Sequence, residues 1–252
     1  MDESAQVGEA ALIARLAALL RQGPVDERAF GETLEESERE RTGTVGDWAP
    51  KEYLGHLAFW RDRERERVEV RGRGGDGPNY SDYQPLNTES FADLSAMTWE
   101  QALARSRDSV EALVAAVEAL PSGALRGLAR SAQDDGGPSL LDMVINNGFV
   151  HPQTHLAEML VGRGDRHGAQ AIQRRMLDAV VALDAGPEVN AAARYNLACA
   201  LAPSAPHEEP LALLRQSFAE NPRLIALARQ DADLDPLRDD PAFQALLADE
   251  HD

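Results

Sequence analysis

The stretch FVHPQTHLAEML, residues 149–160, places His151 and His155 four residues apart, with Glu158 three further on. On an α-helix, positions i and i+4 differ by only about 40° around the axis, so the two imidazoles point the same way. Two imidazoles on one helix face form a bidentate clamp for a borderline divalent ion. Glu158 lies further along that stripe, as a ligand, a partner of a ligand or a base. A third ligand has to come from a facing helix. His56 is the candidate, beside Tyr53 and Trp60 on the partly apolar side of its own helix. The plain alternative is that these are ordinary helix residues sharing a face, because an HxxxH pair alone is a weak signal. Pro152 adds a constraint, since it removes the hydrogen bond to the Gly148 carbonyl and predicts a kink at the proposed site.

If an ion is held, three neutral histidines leave one coordination position open for water, whose pKa a divalent ion lowers to about 7. Glu158 is then the candidate catalytic residue, accepting the proton. The reactions within reach are hydrolysis or opening of an electrophile, and addition of a nucleophile to one.

The elements that must position these groups read as helices. Leu12, Leu16, Leu19 and Leu20 form one stripe over residues 8–22, and Gly23-Pro24 is expected to interrupt it before a second, acidic helix over 26–41. Asp47 and Pro50 are start signals for a helix whose apolar face carries Tyr53, Leu54, Leu57 and Trp60. Its continuation, RDRERERVEVR, sets Arg61/Glu64 and Arg63/Glu66 three apart and reads as solvated helix. Residues 72–98 lack a long periodic run, which predicts either a lid or a connection with short helical turns. From Thr98, a capping residue, Leu103, Ser106, Val110, Leu113, Val117 and Leu120 repeat as a bundle seam, and Pro121 ends it. The next helix holds the histidine pair, with Ser139 as its cap and Gly162 near its end. These four main helices predict an all-α helix bundle over residues 1–164. After the polar hinge RGDRHG, residues 165–252 read as a helix, a helix–turn–helix pair ending in Asn-Pro, and a closing helix.

Composition narrows the partners. A net charge of −18 disfavours nucleic acid, whose phosphates need basic surface, and anionic membranes for the same reason. No apolar run approaches the ~20 residues of a membrane span, and the acidic start MDESAQ is unlike a signal peptide, so a cytoplasmic location is expected. The single cysteine, Cys199, has no internal disulfide partner, and nothing around it suggests reactivity. No nucleophile elbow, phosphate-binding glycine loop or dinucleotide fingerprint appears, and RGRGGDG reads as a loop.

The segment VGDWAPKEYLGHLAFWRDRE resembles the signature of the DinB-like superfamily, most closely its ClbS/DfsB-type branch. There a Trp and a Lys-Asp/Glu pair precede a helix with an HL motif. The stretch N…F…TWEQALARSRDSVEALVAAVEALP, which begins at Asn87 and Phe91, is similar to that branch as well. The resemblance covers about residues 8–162 and implies a four-helix bundle. It also implies a divalent metal, nickel or zinc being the expected ions, held by His56, His151 and His155. Leu156 and Ala157 stand where thiol-transferase members carry a second His and an Arg-Gly pair, which argues against a low-molecular-weight thiol cofactor. AARYNLACALA and PLALLRQSFAENP resemble the two helices of a tetratricopeptide (TPR) repeat, with Pro210 where alanine is usual. About one such repeat is present, whereas a binding groove needs ~three, so the region is expected to pack as a cap.

Two functions follow. The first is a metal-dependent hydrolase or transferase acting on a small reactive electrophile, in a protective role implied by the resemblance. The second is a non-enzymatic interaction protein, with a structural bundle and a tail that recruits a protein partner. A homodimer is compatible with both.

Overall fold

Apolar residues recur every three or four positions along most of this chain, and the computed structural model turns each such run into a helix. The structure describes residues 3–44, 47–80, 82–127, 138–183 and 186–248, with side chains from residue 8 onward. Among the described residues there is no strand, only an isolated bridge between Thr44 and Asp47. The fold is all-α, as the sequence pattern predicts. The chain forms two compact units, Met1–His155 and Leu156–Asp252.

In the first unit the helices are α1 (Glu3–Glu32), α2 (Glu36–Arg39), α3 (Pro50–Gly72), α4 (Tyr83–Ser95), α5 (Trp99–Glu118) and α6 (Leu140–Ile145). A π turn over Asn146–Val150 then leads directly into α7 (His151–Gly162). α3 packs along α5, α1 lies against α5 and the π turn, and α4 lies on α3. Thr98 caps α5 as expected: its hydroxyl accepts from Gln101 N–H while the Gln101 carboxamide accepts from Thr98 N–H. Ser139 caps α6 in the same way through Asp142.

Three expectations are corrected. α1 is not interrupted at Gly23-Pro24; Pro24 sits inside a single helix of 30 residues. The buried stripe Leu12, Leu16, Leu20, Gly23, Glu27, Phe30 keeps its period across the proline, so side-chain burial outweighs the one lost backbone bond. The acidic helix expected over 26–41 is therefore the end of α1 followed by the short α2. Residues 72–98 contain a helix of 13 residues, α4, whose Leu94 is buried against Gly55 of α3.

The third correction concerns charge. RDRERERVEVR is not a solvated helix, because Arg61, Glu64 and Arg67 are buried. They extend the buried face of Leu54, Leu57 and Val68, so the stripe continues with ionic side chains in place of apolar ones. Arg61 donates to Glu27 Oε1 on α1 at 2.7 Å and to Ser106 Oγ on α5 at 2.6 Å. Ser106 Oγ in turn donates to Glu27, closing a triangle across three helices. Glu64 accepts from Arg67 and from Asn147 Nδ2, the latter at 2.8 Å. Arg63 and Glu66 pair at the surface as expected, at 3.1 Å.

The second unit holds α8 (Arg166–Leu183), α9 (Pro187–Leu201), α10 (Glu208–Glu220), α11 (Leu224–Ala228), a 3-10 turn (Ala232–Leu237) and α12 (Pro241–Ala248). α9 packs against both α8 and α10. Ala191, Ala193 and Ala198 on α9 are fully buried, and the Ala191 carbonyl accepts from Ser217 Oγ of α10 at 2.8 Å. Leu214, Phe218, Leu234, Leu237 and Phe243 close the core. Tyr195 donates to Asp231 at 2.8 Å, with Cys199 beside it. Burial, then the charges of Asp231 and Asp233, push the Cys199 thiol well above its usual range. An inert cysteine is the consequence, since the thiolate is the reactive form. Thiol reagents at pH 8 are expected to label Cys199 only after unfolding in urea.

The Glu27–Arg61–Ser106 triangle yields a second test. Removing one member of a buried pair strands the other charge, typically at a cost of about 3–5 kcal/mol. Glu27→Ala should therefore destabilise by that order in urea unfolding, while the exposed-pair variant Glu111→Ala should change stability by less than about 1 kcal/mol.

Candidate metal centre

α3 enters the bundle through a cap that also builds one wall of the site. The buried Glu52 carboxylate accepts from Ala49 N–H at 2.8 Å and from Gly43 N–H at 3.0 Å. This ties Gly43 and Ala49 down onto the first turn of α3. A side chain at Gly43 would run into the Asp47 carbonyl, the Ala49 amide and the Glu52 carboxylate, so the approach requires glycine. Trp48 is thereby laid edge-on against His56, their ring centroids 4.7 Å apart.

His56 projects from the second turn of α3 and meets both histidines of α7. Its Nε2 lies 3.3 Å from His151 Nε2, and His151 Nε2 lies 2.8 Å from His155 Nε2. The three candidate ligand atoms fall within 4.8 Å of one another. Two nitrogens bound at 2.0–2.1 Å with a tetrahedral angle between them sit about 3.3 Å apart, and with a right angle about 2.9 Å. The observed separations match those two edges.

Protonation state fits the same use. Burial, and then the nearby His155 charge, hold the His56 imidazole down at about 3. His151 is also held well below the ordinary histidine range, by burial first, then His155, His56 and Arg61. Imidazoles that stay neutral keep a nitrogen lone pair free for a cation. Nδ1 of His56 and of His151 is buried and makes no hydrogen bond, so no protein acceptor fixes either tautomer. The donor set fits a divalent ion such as zinc or nickel, and the three residues could hold one.

Aromatic side chains surround the triad. Tyr53 lies tilted against His155 with ring centroids 5.0 Å apart, and Trp60 meets His56 edge-on at 6.3 Å. α4 completes this wall from within the 72–98 segment. Trp60 Nε1 donates to Asn87 Oδ1 at 3.0 Å, and Phe91 packs on Trp48 at 5.8 Å. Asn87 and Phe91 were not foreseen as part of the site, although both belong to the N…F…TWEQ stretch that carries the family resemblance. Between α3 and the π turn that leads into α7 sits the Glu64–Asn147 contact. Burial pushes the Glu64 carboxyl upward, against the opposing pull of Arg67 and Asn147.

Glu158 occupies a different setting. It is exposed on α7, one turn past His155, and its charge acts on Asp233, whose carboxyl is raised by burial, Asp231 and then Glu158. The structure thus brings His56, His151 and His155 together and leaves Glu158 on the outer surface of its helix.

An all-helical bundle that converges one buried and two half-buried imidazoles from two facing segments defines a candidate histidine site for a divalent cation. The model of the DinB superfamily matches residues 10–159, and the chain belongs to that superfamily, whose members are in general metal-binding helical proteins. No curated protein and no solved structure matched the chain significantly.

The depressed imidazoles predict a pH dependence for the metal-free protein. The unfolded chain takes up a proton on His56 near pH 6.5, whereas the folded chain resists until about pH 3. The unfolded state therefore binds more protons across that window, and stability falls as the pH drops through it. Urea unfolding between those limits is expected to show a steeper pH dependence for the wild type than for His56→Asn. Equal slopes would contradict it.

Proposed function

We propose that this chain is a divalent-metal-binding DinB protein whose bundle acts on a small, reactive electrophile as a hydrolase or transferase. The observation that carries this reading is the convergence of three Nε2 atoms, from His56, His151 and His155, at separations that suit one ion. When bound, a divalent ion supplies Lewis-acid polarisation of an oxygen on substrate or water. The chain's own residues supply the rest. Trp48, Tyr53 and Trp60 offer an apolar, aromatic surface beside the triad, suited to a substrate with a hydrophobic body. Glu158, exposed on α7, is the proposed proton acceptor.

Within the superfamily we assign the chain to the ClbS/DfsB-type branch, on the Trp48, Lys51-Glu52 and His56-Leu57 signature. The buried cap made by Glu52 gives that signature a physical basis. A protective role against a reactive metabolite follows from that assignment. We further propose a boundary at 164/165, with residues 165–252 as a TPR-like unit, supported by the close α9–α10 pairing through Ala191 and Ser217. One such pair is short of the ~three repeats that form a groove, so it serves as a cap.

Elemental analysis of protein purified without a histidine tag is expected to find near-stoichiometric zinc, nickel or a similar ion. Trace metal only, with no uptake on titration, would end this reading. His151→Ala should lose the ion while circular dichroism stays helical, since the bundle keeps its own apolar seam. With a panel of small electrophiles, Glu158→Gln should keep the ion and lose ~10²–10⁴ in rate, the usual loss for a general base. Unchanged turnover would make Glu158 a bystander.

A further inference from the structure

The His151/His155 pair is out of phase with the helix that leads into it. A π turn behaves as one residue inserted into an α-helix, and each α-helical residue advances by about 100°. The π turn at Asn146–Val150, where His151 N–H bonds to the Asn146 carbonyl, therefore separates the rotation of α7 from that of α6. Were the helix from Leu140 uninterrupted, His151 and His155 would be turned by about 100° out of the seam that faces His56.

Pro152 explains why the ladder cannot simply continue, since it has no N–H to give the Gly148 carbonyl and its ring crowds that group. It does not explain why the relief takes this form. That choice needs contacts that hold the turn sideways, and two are present. Gly148 lies so close to α1 and α5 that a Cβ there would meet Leu20 and Leu113. Asn147 reaches across to α3, donating from Nδ2 to Glu64 Oε2 at 2.8 Å. Glu64 is itself held, being fully buried and paired with Arg67. Its other oxygen, Oε1, is buried without a hydrogen-bond partner, so Oε2 carries the polar contacts of this carboxylate.

The geometry points to Asn147 and Glu64 as positioning residues: their contact inside the π turn sets the rotation of α7 and so places His151 Nε2 against His56. The two contacts between α3 and this segment are linked. Asn147 is four residues before His151, Glu64 is eight after His56, and the polar pair lies along the same seam as the imidazole pair. A merely stabilising contact would hold the helices together without governing which way His151 points. The inference rests on the proposed metal site for its affinity readout, and a second readout is independent of metal.

The test compares Asn147→Leu, which keeps the side-chain volume and removes the donor, with Val117→Ala, a core change in α5 that should lower stability without touching the π turn. Cobalt(II) titration should show binding weakened ~10–100-fold in Asn147→Leu, the range seen when whatever orients a metal ligand is disturbed, and unchanged in Val117→Ala. In metal-free protein, the His151 ring signals in long-range ¹H–¹⁵N correlation spectra should move in the first variant and stay in the second. If the leucine variant does not fold, Asn147→Ser, too short to reach the carboxylate, takes its place with the same expectations. Unmoved His151 signals, or equal effects from Val117→Ala, would overturn the inference. A wild type that takes up no cobalt would remove the proposed function alone, and the ring signals would still decide the positioning role.

Discussion

Burying α3 imposes a condition that the rest of the first unit has to meet. This helix carries His56, Arg61, Glu64 and Arg67 into the interior, and a buried polar or charged group without a partner is costly. Each is answered from another segment or along α3 itself. Arg61 is met by Glu27 of α1 and Ser106 of α5, Glu64 by Arg67 and by Asn147 of the π turn, and His56 by His151 of α7. Because such contacts are directional, they fix the rotation and register of the helices more sharply than apolar packing alone. The direction of His56 is one consequence of that register.

The same burial gives the triad its chemistry. Removing the His56 and His151 imidazoles from water keeps those two neutral, and neutral nitrogens a few ångströms apart are well suited to share a cation. The walls are assembled from outside the bundle helices. Glu52 holds Gly43 and Ala49 in place so that Trp48 meets His56, and Asn87 holds α4 against Trp60. The segment between α3 and α5 is therefore structural at its C-terminal half, with α4 attached to the site by a hydrogen bond and an aromatic contact.

Legibility in the sequence followed the range of the interaction involved. The seam of α5 was readable because Ser106, Val110, Leu113 and Val117 repeat at helical spacing, and its Thr98 cap depends only on Gln101 three residues away. The pairing of His151 with His155 was readable for the same reason. Arg61 and Glu64 misled because local spacing suggested exposed charge pairs, while their burial depends on Glu27, Ser106 and Asn147. Gly23-Pro24 misled in the opposite sense, since a local breaker was overridden by a stripe that runs on to Phe30. The INNG run before Pro152, poor in helix formers, was a signal of irregular helix that a reading based on apolar period passed over.

By itself, then, the sequence determined the α5 seam, the Thr98 and Ser139 caps and the placing of His151 and His155 on one helix face, because each of these is set by residues within a turn or two of one another. Tertiary structure decided which way those imidazoles face and what surrounds them. His56 and His151 are 95 residues apart, and their meeting depends on a buried ionic network and a π turn that no local period encodes. Orientation around a helix axis is a property of what the helix packs against, and only the assembled bundle contains that information.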